Sequence, residues 1–291
     1  MGGTMAACLA RIREAVTLIV RPESLAAHPP GLQFESPFGN WSAQVTWSAS
    51  VEPTDVLWLT VKATQLQAAL RTIPENASIG AIVPLLNGLD HLEVLRAEFG
   101  AERVIPATIA GEMERVSLGH FVHRSPFAVL NISGRGRGLL EGVSDQLRTI
   151  GFTCNFIDDE NTLMWSKLIF LGPFALATTA FDKPIGEVVG NPGTWRQLEH
   201  CVRETCAAGQ AEGAKVDADA VLPLIRKAPA AMRSSMQKDV DHGRAPELDA
   251  IGGAIVRAAA RHELRVPATE ELIARIRRRI AAGGHSGGAG L

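Results

Sequence analysis

The sequence predicts two domains, an α/β domain with a Rossmann-type sheet followed by an all-helical domain, and two observations carry that reading. As far as Ile157, short runs of β-branched and apolar residues alternate with helical segments, the pattern of strands joined by crossover helices. Beyond Asp158 the apolar spacing becomes helical and stays so nearly to Ala282. The expected boundaries are residues 1–158 for the α/β domain, 159–283 for the helical domain and 284–291 for a flexible, glycine-rich tail.

Composition limits what such a protein can do. With 291 residues, 46% hydrophobic and 21% charged, the chain can bury a large core, and its length favours two domains over one. A net charge of -2, with the basic residues scattered, provides no patch to neutralise nucleic-acid phosphates. Cys8, Cys154, Cys201 and Cys206 lack metal-ligand spacing, and no secretion signal precedes them, so reduced thiols in a cytoplasmic protein without a metal site are expected. The longest uncharged apolar run, Leu168 to Phe181, contains Gly172 and Pro173 and falls short of the ~20 residues of a membrane span.

The elements follow in order. Met1 to Arg11 has small and apolar residues at helical spacing, and Ala15 to Val20 reads as a β-branched strand. In a dinucleotide-binding fold such a helix follows a first strand and a Gly-x-Gly-x-x-Gly turn, both missing from these residues. Gly2 stands where the last glycine of that turn would be. Arg21, just after the strand, is either an ordinary surface arginine or a partner for the 2′-phosphate of NADP, which an arginine can bind bidentately. Asp55 to Lys62 reads as a strand buried on both faces, Ala63 to Ile73 as a helix and Ile79 to Leu86 as the next strand. Lys62 and Asn87 thus lie at carboxyl ends of strands, where ligands of open α/β sheets collect, although Asn87-Gly88 is also common turn chemistry. Val104 to Ala110, Arg115 to His123 and Phe127 to Ser133 read as further strands, making the sheet mixed. Gly134-Arg135-Gly136-Arg137-Gly138 reads as a flexible loop, Leu139 to Ile150 as a helix and Cys154 to Ile157 as a last strand.

The helical domain contains the stretch on which the chain is organised. Asp158-Asp159-Glu160-Asn161 offers acceptors for the free amides of a helix start, and the apolar run that follows is too continuous for a helix resting on the surface. Lys167 is the cation in that run. Its ammonium either snorkels to water or meets a cavity containing something polar, because an unpaired buried ammonium costs several kcal/mol or loses its proton. Further on, Pro246 suits a first helical position and places Glu247 in the first turn. Glu247, Ile251, Ile255 and Ala258 share one face, so the carboxylate is directed inward, either as a capping group or as a partner for a polar ligand.

In this order, Val16 to Arg21, Val61-Lys62-Ala63-Thr64-Gln65, Leu86-Asn87-Gly88-Leu89, Trp165-Ser166-Lys167, Ser235-Met236 through Asp239, Gly243-Arg244, Glu247 with Asp249, and then Gly252, His262 and Val266-Pro267 resemble the ketopantoate reductase (2-dehydropantoate 2-reductase) family over almost the whole chain. The resemblance implies an NADPH-dependent oxidoreductase of pantothenate biosynthesis, with an N-terminal Rossmann domain and a helical C-terminal one. It assigns Lys167 as the general acid, Glu247 as the group that binds the reacting hydroxyl, and Ser235 and Asn87 as substrate contacts. Gly2, Arg21, Lys62 and Asn87 would serve NADP. The implied partner is a small 2-oxo acid, with no nucleic acid and no membrane, and a homodimer is compatible with it. Where the family carries asparagines one and two turns after the lysine, this chain has Leu171 and Ala175, which favours a more apolar 2-oxo acid. The missing first strand and glycine turn suggest a mis-assigned start and weak NADPH binding by this form, and they leave a non-catalytic NADP-binding or partner-binding protein as the alternative.

Overall fold

The computed structural model describes residues 1–283; the expected flexible tail, 284–291, lies outside the described residues. The chain forms two compact units, one of Met1–Leu86 with His91–Leu163, the other of Asn87–Asp90 with the chain from Met164 onward. The division falls after Leu163, a few residues beyond Asp158. Glu160 accounts for the difference: its Oε1 accepts hydrogen bonds from Ser133 Oγ at 2.7 Å and Arg135 Nε at 2.9 Å, and its Oε2 accepts one from Arg96 Nη2 at 2.6 Å, all within the first unit.

In chain order the first unit comprises helix α1 (Gly2–Arg11) and strands β1 (Thr17–Ile19), β2 (Gly31–Glu35), β3 (Trp41–Gln44), β4 (Thr46–Ser48) and β5 (Thr54–Leu59), then α2 (Leu66–Leu70), β6 (Ile79–Pro84), α3 (His91–Phe99), β7 (Ala107–Ala110), β8 (Met113–Ser117), β9 (His120–His123), β10 (Ala128–Ser133), α4 (Arg137–Thr149) and β11 (Phe152–Ile157). β1 pairs in parallel with β4, β5 with β6, and β10 with β11, while β7 adds to β10 antiparallel. A separate sheet runs β3-β2-β9-β8. Helix α1 is buried from Gly3 to Leu9, so close to β9 that a Cβ at Gly3 would stand 2.0 Å from Phe121 Cζ. Trp41 Nε1 donates to the Ala7 carbonyl at 3.0 Å, which ties α1 to β3 as well.

Two expectations change, and two strands are new. Strand β5, paired in parallel with β6, is not buried on both faces: Val56, Leu57 and Trp58 are half-buried. The Gly-Arg-Gly-Arg-Gly segment is not a flexible loop. Ser133 caps a 3-10 turn over Gly134–Gly136 that leads straight into α4, and Gly134 packs on Asp158, whose Oδ1 would lie 1.9 Å from a Cβ there. Strands β2 and β3 are not expected from continuous apolar runs, since each alternates inward and outward residues beside solvent.

The second unit is helical, with α5 (Glu160–Phe181, of which Met164 onward belongs here), α6 (Ile185–Gly190), α7 (Pro192–Ala211), α8 (Ala218–Arg226), α9 (Ser235–Asp241), α10 (Ala254–Arg261) and α11 (Pro267–Gly283). Asp159 caps α5, accepting from Thr162 N at 3.1 Å and Thr162 Oγ1 at 2.9 Å. The helix has 22 residues, so by length and composition it passes for a membrane span, which the shorter run considered above does not; it is mostly buried inside the protein, and that burial explains its apolar sequence. Its far end is closed by charge: Arg275 Nε donates to the Ala180 carbonyl and Arg279 Nη1 to that of Thr179, each at 2.9 Å, as suits cations at a helix C-terminus.

Helices α5 and α7 touch through a glycine. A Cβ at Gly209 would lie 2.9–3.2 Å from three atoms of the Trp165 indole, a rigid ring that cannot turn aside. Gly209→Val is therefore expected to lower the unfolding free energy by about 1–3 kcal/mol, measured by denaturant titration; an unchanged midpoint would show that α7 tolerates the displacement.

Candidate functional site

Lys167 lies on the second turn of α5 between Trp165 and Leu168, both buried. The residue is half-buried on the helix. Burial pushes its pKa from 10.5 down to about 8, and Glu247, acting through space, limits the fall. A snorkelling ammonium would keep its aqueous hydration and its ordinary pKa.

Glu247 is placed differently from the expectation. It precedes the helix: the chain has no regular structure from Arg244 through Glu247, and helical structure begins at Leu248 with a π-helical turn over Asp249–Gly253 that continues into α10. Its carbonyl accepts from Ile251 N at 3.0 Å, so backbone holds the residue at the mouth of the turn. The side chain is 7% exposed, and its Oε2 accepts a hydrogen bond from Asn87 Nδ2 at 2.9 Å. Asn87 belongs with this helical unit, in the short excursion Asn87–Asp90. Gly88 makes that excursion feasible: its φ is +84°, and a Cβ would stand 2.0 Å from the Ala250 carbonyl oxygen in the π turn. Only glycine combines that conformation with that approach.

The preceding loop is fixed by Asp239, itself buried, which accepts from Arg244 Nε at 2.9 Å through its carboxylate and from Arg244 N at 2.8 Å through its carbonyl. Gly243, with φ +65°, turns the chain between them. Of the two serines at the start of α9, Ser234 is the buried cap, accepting from Gln237 N and from Thr178 Oγ1. Ser235 follows it, exposed, in the first turn. Lys167, Glu247 and Asn87 are thus linked by charge and hydrogen bonding, and no such link joins Ser235 to them among the described residues. On α5, Leu171 is partly buried and Ala175 lies in the core.

Of the residues expected to serve a cofactor, Gly2, Arg21 and Lys62 lie in the first unit, and Asn87 lies in the second. Gly2 opens α1, where a Cβ would come 2.7 Å from Thr60 Oγ1 just past β5. Lys62 is two residues beyond Thr60, and its carbonyl starts a 3-10 turn by accepting from Gln65 N at 2.8 Å. Arg21 is exposed at the start of another 3-10 turn, just beyond β1. The first turn of α1 has neither an acidic residue nor a side-chain cap, and burial, Arg115 and Lys62 together lower the pKa of the Met1 amine. Uncapped amides beside two cations form a surroundings that fit a phosphate.

Sequence reasoning overlooks Asp90, Arg257 and the π turn. The signal present was Gly252-Gly253 inside a helical pattern: a Cβ at Gly252 would come 3.0 Å from Ile273, and one at Gly253 would come 2.5 Å from Asp249 Oδ1.

Residues 1–133 match the family model of ketopantoate reductase PanE/ApbA, and residues 159–279 that of its C-terminal region. A 2-dehydropantoate 2-reductase from Caulobacter vibrioides is 29% identical over 285 residues, 94% of each chain. Among solved structures, a PanE/ApbA family ketopantoate reductase from Ralstonia eutropha superposes with a TM-score of 0.83 at 24% identity, covering 95% of this chain and 94% of that one. A D-mandelate dehydrogenase solved with NADH and anilino(oxo)acetate also reaches 0.83, at 18% identity and 97% and 96% coverage. The two structural likenesses are of fold.

Because Glu247 is what holds the Lys167 pKa up against burial, Glu247→Gln should move the Lys167 titration below about 8. The lysine 13Cε chemical shift followed by NMR reads this directly; a titration unmoved or moved upward would separate the two groups.

Proposed function

The chain belongs to the ketopantoate reductase family, oxidoreductases acting on CH-OH groups, and from that premise we propose that it reduces a 2-oxo acid to the 2-hydroxy acid with NADPH. The observation that carries this reading is a buried Glu247 carboxylate, hydrogen-bonded by Asn87, acting on a Lys167 that sits between the buried Trp165 and Leu168 and whose pKa burial lowers to about 8. A pKa near working pH suits a group that must be charged to polarise a carbonyl and then give up its proton. When bound, a reduced nicotinamide would supply the hydride for the carbonyl carbon. Lys167 Nζ donates a proton to the carbonyl oxygen as that oxygen gains charge, and recovers it afterwards from solvent. Glu247 binds the hydroxyl being formed and favours the charged form of Lys167.

For the cofactor, the uncapped start of α1 with Gly2 and Lys62 suits the pyrophosphate, and Arg21 the 2′-phosphate that distinguishes NADPH from NADH. For the substrate, Leu171 and Ala175 offer no side-chain hydrogen bonds along the helix that bears Lys167, so a 2-oxo acid with an apolar side chain is favoured over ketopantoate itself. The proposed location is cytoplasmic.

Two measurements test this reading. Lys167→Ala is expected to lower turnover by roughly 10²-fold while NADPH affinity is retained, and wild-type turnover in the reducing direction should fall as pH rises through about 8, because the ammonium is the competent form below its pKa. Turnover close to wild type in the variant would remove Lys167 from the chemistry. Arg21→Ala should weaken NADPH far more than NADH in calorimetry, since only one of them has the phosphate; equal losses would assign Arg21 to the surface.

A further inference from the structure

Arg257, on α10, bridges two carboxylates. Its Nη1 donates to Asp249 Oδ1 at 2.9 Å and its Nη2 to the Asp249 carbonyl at 3.0 Å, while Nε reaches Asp90 Oδ2 at 3.1 Å and Nη2 the same oxygen at 2.5 Å. Asp90 ends the excursion Asn87–Asp90, and Asp249 opens the π turn that follows Glu247. One guanidinium therefore ties the segment bearing Asn87 to the segment bearing Glu247.

The backbone is shaped for this bridge. In a regular α-helix, positions eight apart are rotated by ~80° from each other, and the wider π turn takes up that rotation so that Arg257 comes over Asp249. Gly253 keeps the path open, since a Cβ there would lie 2.5 Å from Asp249 Oδ1 and 2.9 Å from Arg257 Nη1. At the other end, Gly88 rests directly on the Ala250 carbonyl. The turn is thus pressed onto the helix at Gly88, tethered on one side by Asn87 to Glu247 and on the other by Asp90 to Arg257.

We propose that Arg257 is a positioning residue: by holding Asp90 against Asp249 it sets the Asn87 amide on the Glu247 carboxylate and so fixes the orientation in which Glu247 meets the substrate. The proposal rests on the reading of Glu247 given above. Arg257, Asp90 and Asp249 are all substantially exposed, and exposed ion pairs add little to global stability, so the bridge acts on the geometry of the turn and not on the survival of the fold.

The test is Arg257→Met, which keeps the stem and removes the guanidinium, combined with Asn87→Ala in a double-mutant cycle. Expected is a fall of about 10-fold in kcat/KM for the 2-oxo acid, the scale of a misplaced binding group, with melting temperature and cofactor affinity unchanged. In the Asn87→Ala background the same substitution should cost less than about 2-fold, because Arg257 acts through Asn87. A full loss in both backgrounds, or no loss in either, overturns the proposal. A second readout needs no activity: amide hydrogen exchange in residues 87–90 should accelerate in Arg257→Met and remain as in wild type elsewhere in the helical unit. If wild-type protein reduces no 2-oxo acid, the functional reading fails while exchange still decides the tether, and unchanged exchange at 87–90 overturns it.

Discussion

The helical unit depends on one electrostatic compromise: a lysine ammonium held within an apolar helix. Desolvation alone would drive Lys167 towards its neutral form, and the neighbouring Glu247 carboxylate opposes that drive without cancelling it. The result is a cation whose pKa lies at about 8, well below that of a lysine in water. Much of the surrounding structure holds this pair in place. Asp159 sets where α5 begins, Arg275 and Arg279 close its end, Trp165 is locked against Gly209, and the Arg244–Asp239 pair fixes the loop that delivers Glu247.

The carboxylate is controlled by backbone as much as by side chains. Glu247 stands at the entrance of a π turn, an element that is rare in helices and recurs at functional sites because it moves one residue out of register. Here the changed register allows Gly88 to approach Ala250 and Asn87 to reach Glu247 from a segment 160 positions away in sequence. An unbroken α-helix from Pro246 would present a different face to that segment.

How much of this is legible in the sequence differs by kind of signal. The long buried helix can be read because its apolar run is continuous and its start is acidic, and Lys167 stands out as the one charge between Asn161 and Phe181. The parallel strands β5 and β6 are equally readable from their apolar runs. Strands β2 and β3 are not, because each has a wet face and its inward residues are few. The first turn of the helix after Pro246 is misjudged for a different reason: i→i+5 bonding leaves no periodicity in five residues, and only Gly252-Gly253 marks it. Ser234 and Ser235 are identical in chemistry, so only the three-dimensional packing on Thr178 distinguishes the buried cap from its exposed neighbour. Asp90 and Arg257 look like surface charges because they are; what matters is the pair of segments they join.

The four buried cysteines give each unit its own reporter. Cys8 and Cys154 lie in the first unit, Cys201 and Cys206 in the second, and burial raises every one of these thiols, Cys8 and Cys201 to about 12 and Cys154 to about 11. In the native state they are protonated as well as inaccessible, so neither alkylating reagents nor peroxides find the thiolate they require. Labelling at any one of them therefore registers an opening of the packing around it. The sites that react first under mild stress would show which half of the molecule loosens first.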